Sequence, residues 1–214
     1  MSDMGEDHAA LMDRTYRVQR RFYDLTRAWF LLGRDRLIAD LDAPAGARVL
    51  EVACGTGRNL AEIGRWFPGV HLHGLDISQE MLKSARARLE GRAELALADA
   101  AGFDAQALFG QPGFERVVLS YSLSMIPEWE AALEAALDCV APGGSLHVVD
   151  FGDQADLPGW FRLGLRAWLA RFHVSPRADL FDAAERLAAR SGTRCDARRL
   201  FRGYAWSVTM TRPG

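Results

Sequence analysis

The sequence Val49-Leu50-Glu51-Val52-Ala53-Cys54-Gly55-Thr56-Gly57-Arg58-Asn59 has the pattern of an apolar β-strand, a tight turn and the start of an α-helix. Gly55 and Gly57 lack a Cβ atom, so a ligand can come close to the backbone of this turn. In open α/β sheets, ligands bind beyond the carboxyl ends of the strands, where a turn of this kind lies. The stretch therefore predicts an α/β fold with a ligand site at the turn.

Two common nucleotide-binding turns are excluded by the residues that follow. The dinucleotide-binding pattern needs a small residue three positions after its second glycine, and Leu60 stands there. A phosphate-binding P-loop needs Gly-Lys-Ser or Gly-Lys-Thr at the end of the turn, and this turn continues as Gly57-Arg58-Asn59. The turn is therefore neither an NAD fingerprint nor a P-loop.

Acidic residues follow the next two predicted strands. Asp76 ends the second strand, where a carboxylate is placed to accept hydrogen bonds from both hydroxyls of a ribose. Asp99 ends the third strand. A lone aspartate at a strand end is commonly a turn or cap residue. The glycine turn, Asp76 and Asp99 in this order are a much more specific signal than any one of them.

These signals resemble the cofactor motifs of class I S-adenosylmethionine-dependent methyltransferases. Glu51, Gly55 and Gly57 match the acidic-x-x-x-Gly-x-Gly motif, and Ala53 stands where the family often has a further glycine. The resemblance implies that Asp99 meets the adenine amino group and that the backbone of the next residue meets a ring nitrogen. The predicted cofactor is S-adenosylmethionine, and the predicted cofactor-binding residues are Glu51, Ala53, Gly55, Gly57, Asp76, Ile77, Asp99, Ala100 and Ser120.

Strand-like and helix-like segments alternate from residue 48 onward, which is typical of βαβ units. The predicted strands are residues 48–53, 71–75, 95–97, 116–120, 146–151, 194–200 and 204–211, and the predicted helices are residues 58–66, 79–89, 128–140, 160–172 and 180–190. Ser78 is the expected N-cap of the second helix, and Pro142-Gly143-Gly144 is expected to end the third.

These elements predict a Rossmann-like α/β methyltransferase fold. The sheet is expected to have seven mostly parallel strands, with an antiparallel closing strand, helices on both faces and an N-terminal helical cap. We predict a single domain over residues 1–214, with a flexible tail at 1–10, the cap at 11–41 and the core at 48–214.

Composition excludes several classes of protein. The three cysteines have no metal-ligand spacing, so no metal site is predicted. No apolar run approaches the ~20 residues of a membrane span. Residues 1–10 lack the basic start and apolar middle of a signal peptide. We therefore expect a cytoplasmic protein.

Two segments combine arginines with aromatic residues. Residues 11–37 contain seven arginines, and residues 158–177 contain four arginines and no acidic residue. Such helices either lie on an anionic membrane surface or pack on the sheet with their arginines in water. We expect peripheral association with the inner face of the cell membrane. Nucleic acid is not an expected partner, because the net charge is only −2 and Ser120-Tyr121-Ser122-Leu123 replaces the Asn-Pro-Pro motif of base-modifying methyltransferases.

Longer stretches resemble one family in particular, the bacterial diacylglyceryl-homoserine N-methyltransferases of betaine lipid synthesis. The similar stretches are residues 30–35, 49–59, 119–127, 149–153 and 165–173. The resemblance extends over nearly the whole chain. It implies three successive methyl transfers to the primary amine of an amino lipid, diacylglyceryl-homoserine.

The trimethylated product would be a quaternary ammonium ion, which aromatic faces stabilise by roughly 0.5–2 kcal/mol each. Tyr16, Tyr23 and Tyr121 are the candidate catalytic residues for such a cage, although tyrosines in amphipathic helices are also common packing residues. His173 is a candidate base. His147 lies in a predicted strand and is therefore expected to be a structural residue.

Three alternative functions share the cofactor motif. A phosphatidylethanolamine N-methyltransferase would have every feature except the specific resemblance. A small-molecule methyltransferase acting on carbon or oxygen of quinone precursors would not need the basic helices. A non-enzymatic S-adenosylmethionine-binding module would need only the glycine turn.

Overall fold

The computed structural model describes residues 31–172 and 174–214 of the 214-residue chain. The strands are β1 (Arg48–Val52), β2 (His71–Asp76), β3 (Ala93–Leu97), β4 (Phe114–Ser120), β5 (Val140–Phe151), β6 (Arg194–Leu200) and β7 (Ala205–Thr211). The helices are α1 (Arg34–Ala39), α2 (Arg58–Trp66), α3 (Gln79–Leu89), α4 (Ala105–Phe109), α5 (Trp129–Asp138), α6 (Gly159–Ala170) and α7 (Leu180–Ser191).

The strands form one seven-stranded sheet in the order β3-β2-β1-β4-β5-β7-β6. Neighbouring strands from β3 to β5 are parallel, whereas β7 runs antiparallel to both β5 and β6. The predicted mostly parallel sheet with an antiparallel closing strand is confirmed.

Apolar layers cover the sheet on both faces, as the burial of its central strands requires. Helices α4, α5 and α7 pack in one layer with Val117 and Leu119 of β4. Helices α1, α2, α3 and α6 pack in the other layer with Val118 of the same strand. Alternate residues of β4 thus point to opposite layers, and the predicted Rossmann-like arrangement is confirmed.

Local sequence signals predicted some helices better than others. Helices α2 and α3 have the predicted bounds, and Ser78 caps α3 by accepting a hydrogen bond from the Met81 N–H at 3.3 Å. Helix α4 was not predicted. Its N-cap is Asp104, whose carboxylate accepts hydrogen bonds from the backbone N–H groups of Gln106 and Ala107 at 2.9 and 3.1 Å.

The sequence Pro142-Gly143-Gly144 lies within β5 and not at the end of a helix, where it was predicted. Helix α5 already ends at Asp138, and the three residues lie within β5, where the register with β4 shifts. A Cβ atom at Gly144 would lie 2.8 Å from the carbonyl oxygen of Glu115, so the two backbones approach closely there. The prediction that this tripeptide ends the helix was wrong, because the residues form a bulged start of β5.

Part of the predicted N-terminal cap lies outside the described residues. Helix α1 falls within the predicted cap at residues 11–41, whereas residues 1–30 are not described. The boundaries of the domain and of its tail stay a prediction. In residues 31–172 and 174–214, no helix has the length and apolar character that crossing a bilayer requires.

Candidate active site

The sheet changes its direction of winding between β1 and β4, because β2 and β3 lie on one side of β1 and β5 lies beyond β4. The loops after β1 and β4 part at this point, and such switch points are the usual ligand sites of open α/β sheets. A cavity lies there, which we call the switch-point cavity; it is lined by Leu31, Arg34, Glu51, Ala53, Cys54, Gly55, Thr56, Arg58, Asn59 and Ser120.

The turn after β1 has a left-handed backbone at Ala53, Gly55 and Gly57, with φ angles of 58°, 54° and 70°. A Cβ atom at Gly55 would meet nothing within 4 Å, so this glycine leaves space for a ligand. A Cβ atom at Gly57 would lie 2.9 Å from Cδ1 of Leu89, so this glycine lets α3 pack against the start of α2. The left-handed backbone at Ala53 also explains why glycine is common there in the resembling family.

Asp76 joins the end of β2 to the glycine turn. One carboxylate oxygen accepts a hydrogen bond from the Gly55 N–H at 2.8 Å, and the other accepts one from the Ser78 N–H at 2.9 Å. The carboxylate is buried and therefore held firmly beside the turn. Its contact with a ribose stays a prediction.

Glu51 lines the cavity with part of its hydrogen-bonding capacity unused. The Asn59 amide donates to Oε1 at 2.7 Å, whereas Oε2 is buried and has no partner among the described residues. Burial raises the pKa of Glu51 from its ordinary value of 4.5 to about 8, although the Asn59 hydrogen bond lowers it. The Ser120 Oγ at the end of β4 is likewise buried without a described partner. Buried polar atoms without partners are costly, and these two line one cavity, where a bound polar ligand can satisfy both.

Arg34 is a site residue that the sequence did not single out. It follows Gly33, whose φ is 90°, as the first residue of α1, and its side chain is only 7% exposed. Burial lowers the pKa of its guanidinium, as does the nearby Arg58, yet an arginine stays charged at neutral pH. Arg34 belongs to the arginine-rich segment at residues 11–37, which is expected to face a membrane. Its own side chain does not face outward, because it is buried and lines the cavity beside Glu51.

Tyr121 is packed against the segment that leads into α1. Its hydroxyl donates a hydrogen bond to the Leu32 carbonyl at 2.5 Å, and its ring contacts Phe151 edge to face at 4.7 Å between centroids. The side chain is buried and is not among the residues that line the cavity. Its role in an aromatic cage stays a prediction. The other two cage candidates, Tyr16 and Tyr23, lie outside the described residues.

The predicted adenine end of the site lies beyond the cavity. Asp99 is exposed after β3, and the neighbouring Ala98 N–H donates to the Asp76 carbonyl at 3.1 Å, so the loops after β2 and β3 run side by side. Ile77 and Ala100 belong to these loops and do not line the switch-point cavity. The structure therefore brings the acids of both loops to the same edge of the sheet, and the contacts with adenine stay a prediction.

The two histidines considered in the sequence differ in what the structure describes of them. His147, buried in β5, pairs its Nε2 with the Ser145 hydroxyl at 2.8 Å, and burial together with nearby Arg116 lowers its pKa to about 4. The candidate base His173 lies outside the described residues. Within the described ranges, no cluster of three or more His, Cys, Asp or Glu side chains could hold a metal ion.

The loop after β4 depends on Arg177, which sequence reasoning placed among surface arginines. Its Nε and Nη2 donate to the carbonyls of Leu123 and Ile126 at 3.0 and 2.6 Å, and the guanidinium lies over the Trp129 ring at 5.9 Å. This arginine therefore fixes the loop that follows Ser120.

Solved structures share this architecture. A chain of the complex between the Haloferax volcanii Trm112 methyltransferase activator and a methyltransferase matches with a TM-score of 0.73 at 12% identity, over 93% of this chain and 96% of that one. This is the class I methyltransferase fold. Haemonchus contortus phosphoethanolamine N-methyltransferase 2, solved with phosphomonomethylethanolamine and S-adenosylhomocysteine, matches with a TM-score of 0.72 at 14% identity, over 97% of this chain and 60% of that one.

The sequence comparisons agree with the fold. Residues 50–146, a little under half of the chain, match the family described as a methyltransferase domain, and this match and the fold together support an S-adenosylmethionine-dependent methyltransferase. The unpartnered oxygens of Glu51 and Ser120 and the open space at Gly55 fit that cofactor.

Two bacterial relatives carry the same name, demethylmenaquinone methyltransferase. The protein of Clavibacter sepedonicus is 32% identical over 136 residues, which are 60% of this chain and 53% of the relative. The protein of Desulfitobacterium hafniense is 25% identical over 167 residues, which are 75% of this chain and 66% of the relative. The chain thus spans about half to two thirds of the length of the curated relatives it matches.

Proposed function

We propose that the chain transfers methyl groups from S-adenosylmethionine to a lipid-soluble acceptor. The observation that carries the proposal is the pair of buried, unpartnered oxygens, Glu51 Oε2 and Ser120 Oγ, in one cavity at the switch point. A polar ligand that enters this cavity can satisfy both atoms. Leu31 adds an apolar wall to the same cavity, on the side of the chain that precedes the matched domain.

The chain's own residues have the task of binding and alignment. The cofactor, when bound, supplies a methyl group activated on a positively charged sulfur. We expect Asp76 to bind a ribose. The Arg34 guanidinium suits the carboxylate of an amino acid, and Glu51, which an approaching cation ionises, suits its ammonium group. Such a site accelerates the transfer chiefly by holding the acceptor atom in line with the methyl group and by supplying a suitable electrostatic setting.

A prenylated quinone precursor is the first candidate acceptor. The relatives named demethylmenaquinone methyltransferase support it, including one from Beutenbergia cavernae that is 34% identical over 139 residues. Such an acceptor takes one methyl group on its ring and presents an otherwise apolar surface. These comparisons favour the quinone-type function over the amino-lipid function that the sequence resemblance implies.

An amino-lipid headgroup, as in diacylglyceryl-homoserine, is the second candidate acceptor. The specific observation in its favour is the position of the stretches that resemble the betaine-lipid enzymes. Leu31 and Arg34 line the cavity, while Leu165 and Leu169 of α6 pack in the same apolar layer as Tyr121. Leu31, Arg34, Leu165 and Leu169 all lie outside the matched domain at residues 50–146, whereas Tyr121 lies within it. The resemblance thus concerns the surroundings of the cavity as well as the cofactor turn.

A labelling experiment separates the two acceptors. The full chain is incubated with methyl-labelled S-adenosylmethionine and with demethylmenaquinone, diacylglyceryl-homoserine or phosphatidylethanolamine, each dispersed in the same nonionic detergent. Mass spectrometry then counts the methyl groups added. A ring carbon gains one methyl group, whereas a primary amine gains up to three.

The variant Gly55→Val serves as the negative control, because its side chain would occupy the open space at the turn. Label in the quinone supports the first candidate, and label in the homoserine lipid supports the second. Faster labelling of phosphatidylethanolamine than of either candidate would make phosphatidylethanolamine the preferred acceptor. Transfer to none of the three acceptors would contradict the proposed function.

A further inference from the structure

Most of the large apolar side chains that the described residues expose lie at one end of the sheet. They occur in loops and in the start of α6, beyond the carboxyl ends of β4 and β5, and we call them the apolar rim: Leu32, Trp160, Phe161, Leu163 and Phe201. Leu97 is exposed at the end of β3, beside the predicted adenine site. Trp66, at the end of α2, lies at the opposite end of the sheet.

Hydrogen bonds and packing join the rim into one surface. Arg166 of α6 donates from Nε to the Gln154 side-chain carbonyl at 3.3 Å, and the Gln154 N–H donates to the Gly203 carbonyl at 2.8 Å. A Cβ atom at Gly33 would lie 3.5 Å from the Phe201 ring. Helix α6, the loop between β6 and β7 and the segment before α1 are therefore direct neighbours, and that segment borders the switch-point cavity.

Helix α6 is apolar on two sides. Leu165 and Leu169 are buried against the sheet layer, whereas Trp160 and Leu163 are 78% and 73% exposed. The Trp160 ring contacts Phe161 edge to face, at 5.8 Å between centroids, so the two rings form one exposed block. An apolar cluster of this kind on a surface indicates a contact with another apolar phase or molecule.

Charge indicates which partner the rim fits. Residues 158–177 contain four arginines and no acidic residue. Two of them, Arg166 and Arg177, bond to neighbouring loops, while Arg162 and Arg171 form no ion pair within the part of the chain that the structure describes. Tryptophan and leucine beside arginines are typical of helices that lie in the interface of an anionic bilayer. With 12 residues, α6 extends about 18 Å, a length that suits a helix lying along the surface.

We infer that the apolar rim docks the protein on an anionic lipid bilayer, with Trp160 and Leu163 inserted among the headgroups and the switch-point cavity opening towards the membrane. The inference goes beyond the proposed function and rests on it only for the route by which the acceptor enters. Docking itself requires neither cofactor nor acceptor.

Co-sedimentation with vesicles tests the docking surface in the absence of cofactor. The full chain is mixed with phosphatidylcholine vesicles that either contain or lack phosphatidylglycerol. Wild type is expected to bind the anionic vesicles, less strongly as salt rises. Trp160→Ala/Leu163→Ala should weaken this binding about tenfold or more, because both side chains are fully transferred from water. Trp66→Ala, the matched tryptophan at the other end of the sheet, should bind like wild type.

Arg162→Gln/Arg171→Gln separates the electrostatic from the apolar contribution. It should weaken binding to anionic vesicles and flatten the salt dependence. Wild-type affinity in the Trp160→Ala/Leu163→Ala variant, or an equal loss in Trp66→Ala, would overturn the inference. Sedimentation velocity can also reveal a different partner. If wild type is a dimer that does not bind vesicles, and Trp160→Ala/Leu163→Ala is a monomer, the rim contacts a second copy of the chain and the inference is overturned.

Methyl transfer to a detergent-dispersed acceptor keeps the two proposals apart. Vesicle binding by wild type without transfer to any acceptor would support the docking surface and contradict the proposed function. Transfer without vesicle binding would do the opposite.

Discussion

The Tyr121 hydroxyl donates a 2.5 Å hydrogen bond to the backbone carbonyl of Leu32, which lies 89 residues earlier in the chain. The bond ties the end of β4 to the segment that leads into α1. That segment ends at Arg34, whose side chain lines the switch-point cavity. One buried tyrosine therefore supports the position of a charged residue in the site without itself lining it.

Tyr121→Phe keeps the aromatic ring and removes only the hydroxyl. We expect the free energy of unfolding to fall by about 1–2 kcal/mol, because the Leu32 carbonyl loses its donor. We also expect weaker S-adenosylmethionine binding, because Arg34 loses support. Chemical denaturation and calorimetry measure the two effects. A cage wall acts through its ring face, which Tyr121→Phe keeps and Tyr121→Leu removes. Unchanged stability and cofactor affinity in Tyr121→Phe, together with impaired methylation only in Tyr121→Leu, would contradict the positioning role and support the cage.

Arg34→Gln removes the buried positive charge from the cavity. We expect the affinity for S-adenosylmethionine to fall about tenfold or more, as for the loss of a charge-assisted hydrogen bond to a carboxylate. Binding of 5′-methylthioadenosine, which lacks the amino-acid part, should stay near the wild-type value. Arg58→Gln is the matched control, because Arg58 lines the same cavity but is more exposed. Equal weakening of both ligands by Arg34→Gln would mean that Arg34 only maintains the fold.

Cofactor binding should release a proton from Glu51. Burial raises the pKa of this carboxyl to about 8 in the cofactor-free protein, so it is protonated at pH 7. A cationic cofactor favours the ionised form, and the affinity should therefore rise by up to about tenfold per pH unit below pH 8 and level off above it. Calorimetry in buffers of different ionisation enthalpy measures the released proton directly. Glu51→Gln should bind without this pH dependence, and a flat profile in wild type would contradict a cofactor contact at Glu51.

The raised pKa of Glu51 also determines how the stability of the cofactor-free protein changes with pH. A carboxyl whose pKa is raised on folding keeps its proton in the folded chain while the unfolded chain ionises. Its contribution to stability in the cofactor-free protein is therefore lost as pH rises from the ordinary value of 4.5 to about 8. Glu51→Gln should remove this part of the pH dependence of unfolding.

The cofactor turn could be predicted from sequence because its signals are local. Gly55 and Gly57 lie in the turn after β1, and Asp76 ends the neighbouring β2. Parallel strands bring their carboxyl ends to one edge of the sheet. Ser78 identified the start of α3 for the same reason, since a cap bonds to residues in its own first turn.

The acceptor side depends on contacts between distant parts of the chain. Arg34 is buried just after a backbone segment that bonds to the distant Tyr121, whereas composition alone placed it on a basic surface. Helix α6 has both an inward and an outward apolar side, so an apolar pattern could not separate Leu165, which packs on the sheet, from Leu163, which is exposed. Tertiary packing decides these positions, and no local pattern encodes it.

The most direct measurement is a calorimetric titration of S-adenosylmethionine into wild type and Asp76→Ala, with Asp104→Ala, which removes an N-cap of α4, as a control outside the cavity. Circular dichroism verifies that each variant is folded. We predict about micromolar affinity for wild type and for Asp104→Ala, and binding weaker by roughly 1–3 kcal/mol in Asp76→Ala, because the ribose loses its acceptor. No detectable binding by wild type, or wild-type affinity in a folded Asp76→Ala variant, would contradict the assignment of this cavity and its neighbouring loop as the cofactor site.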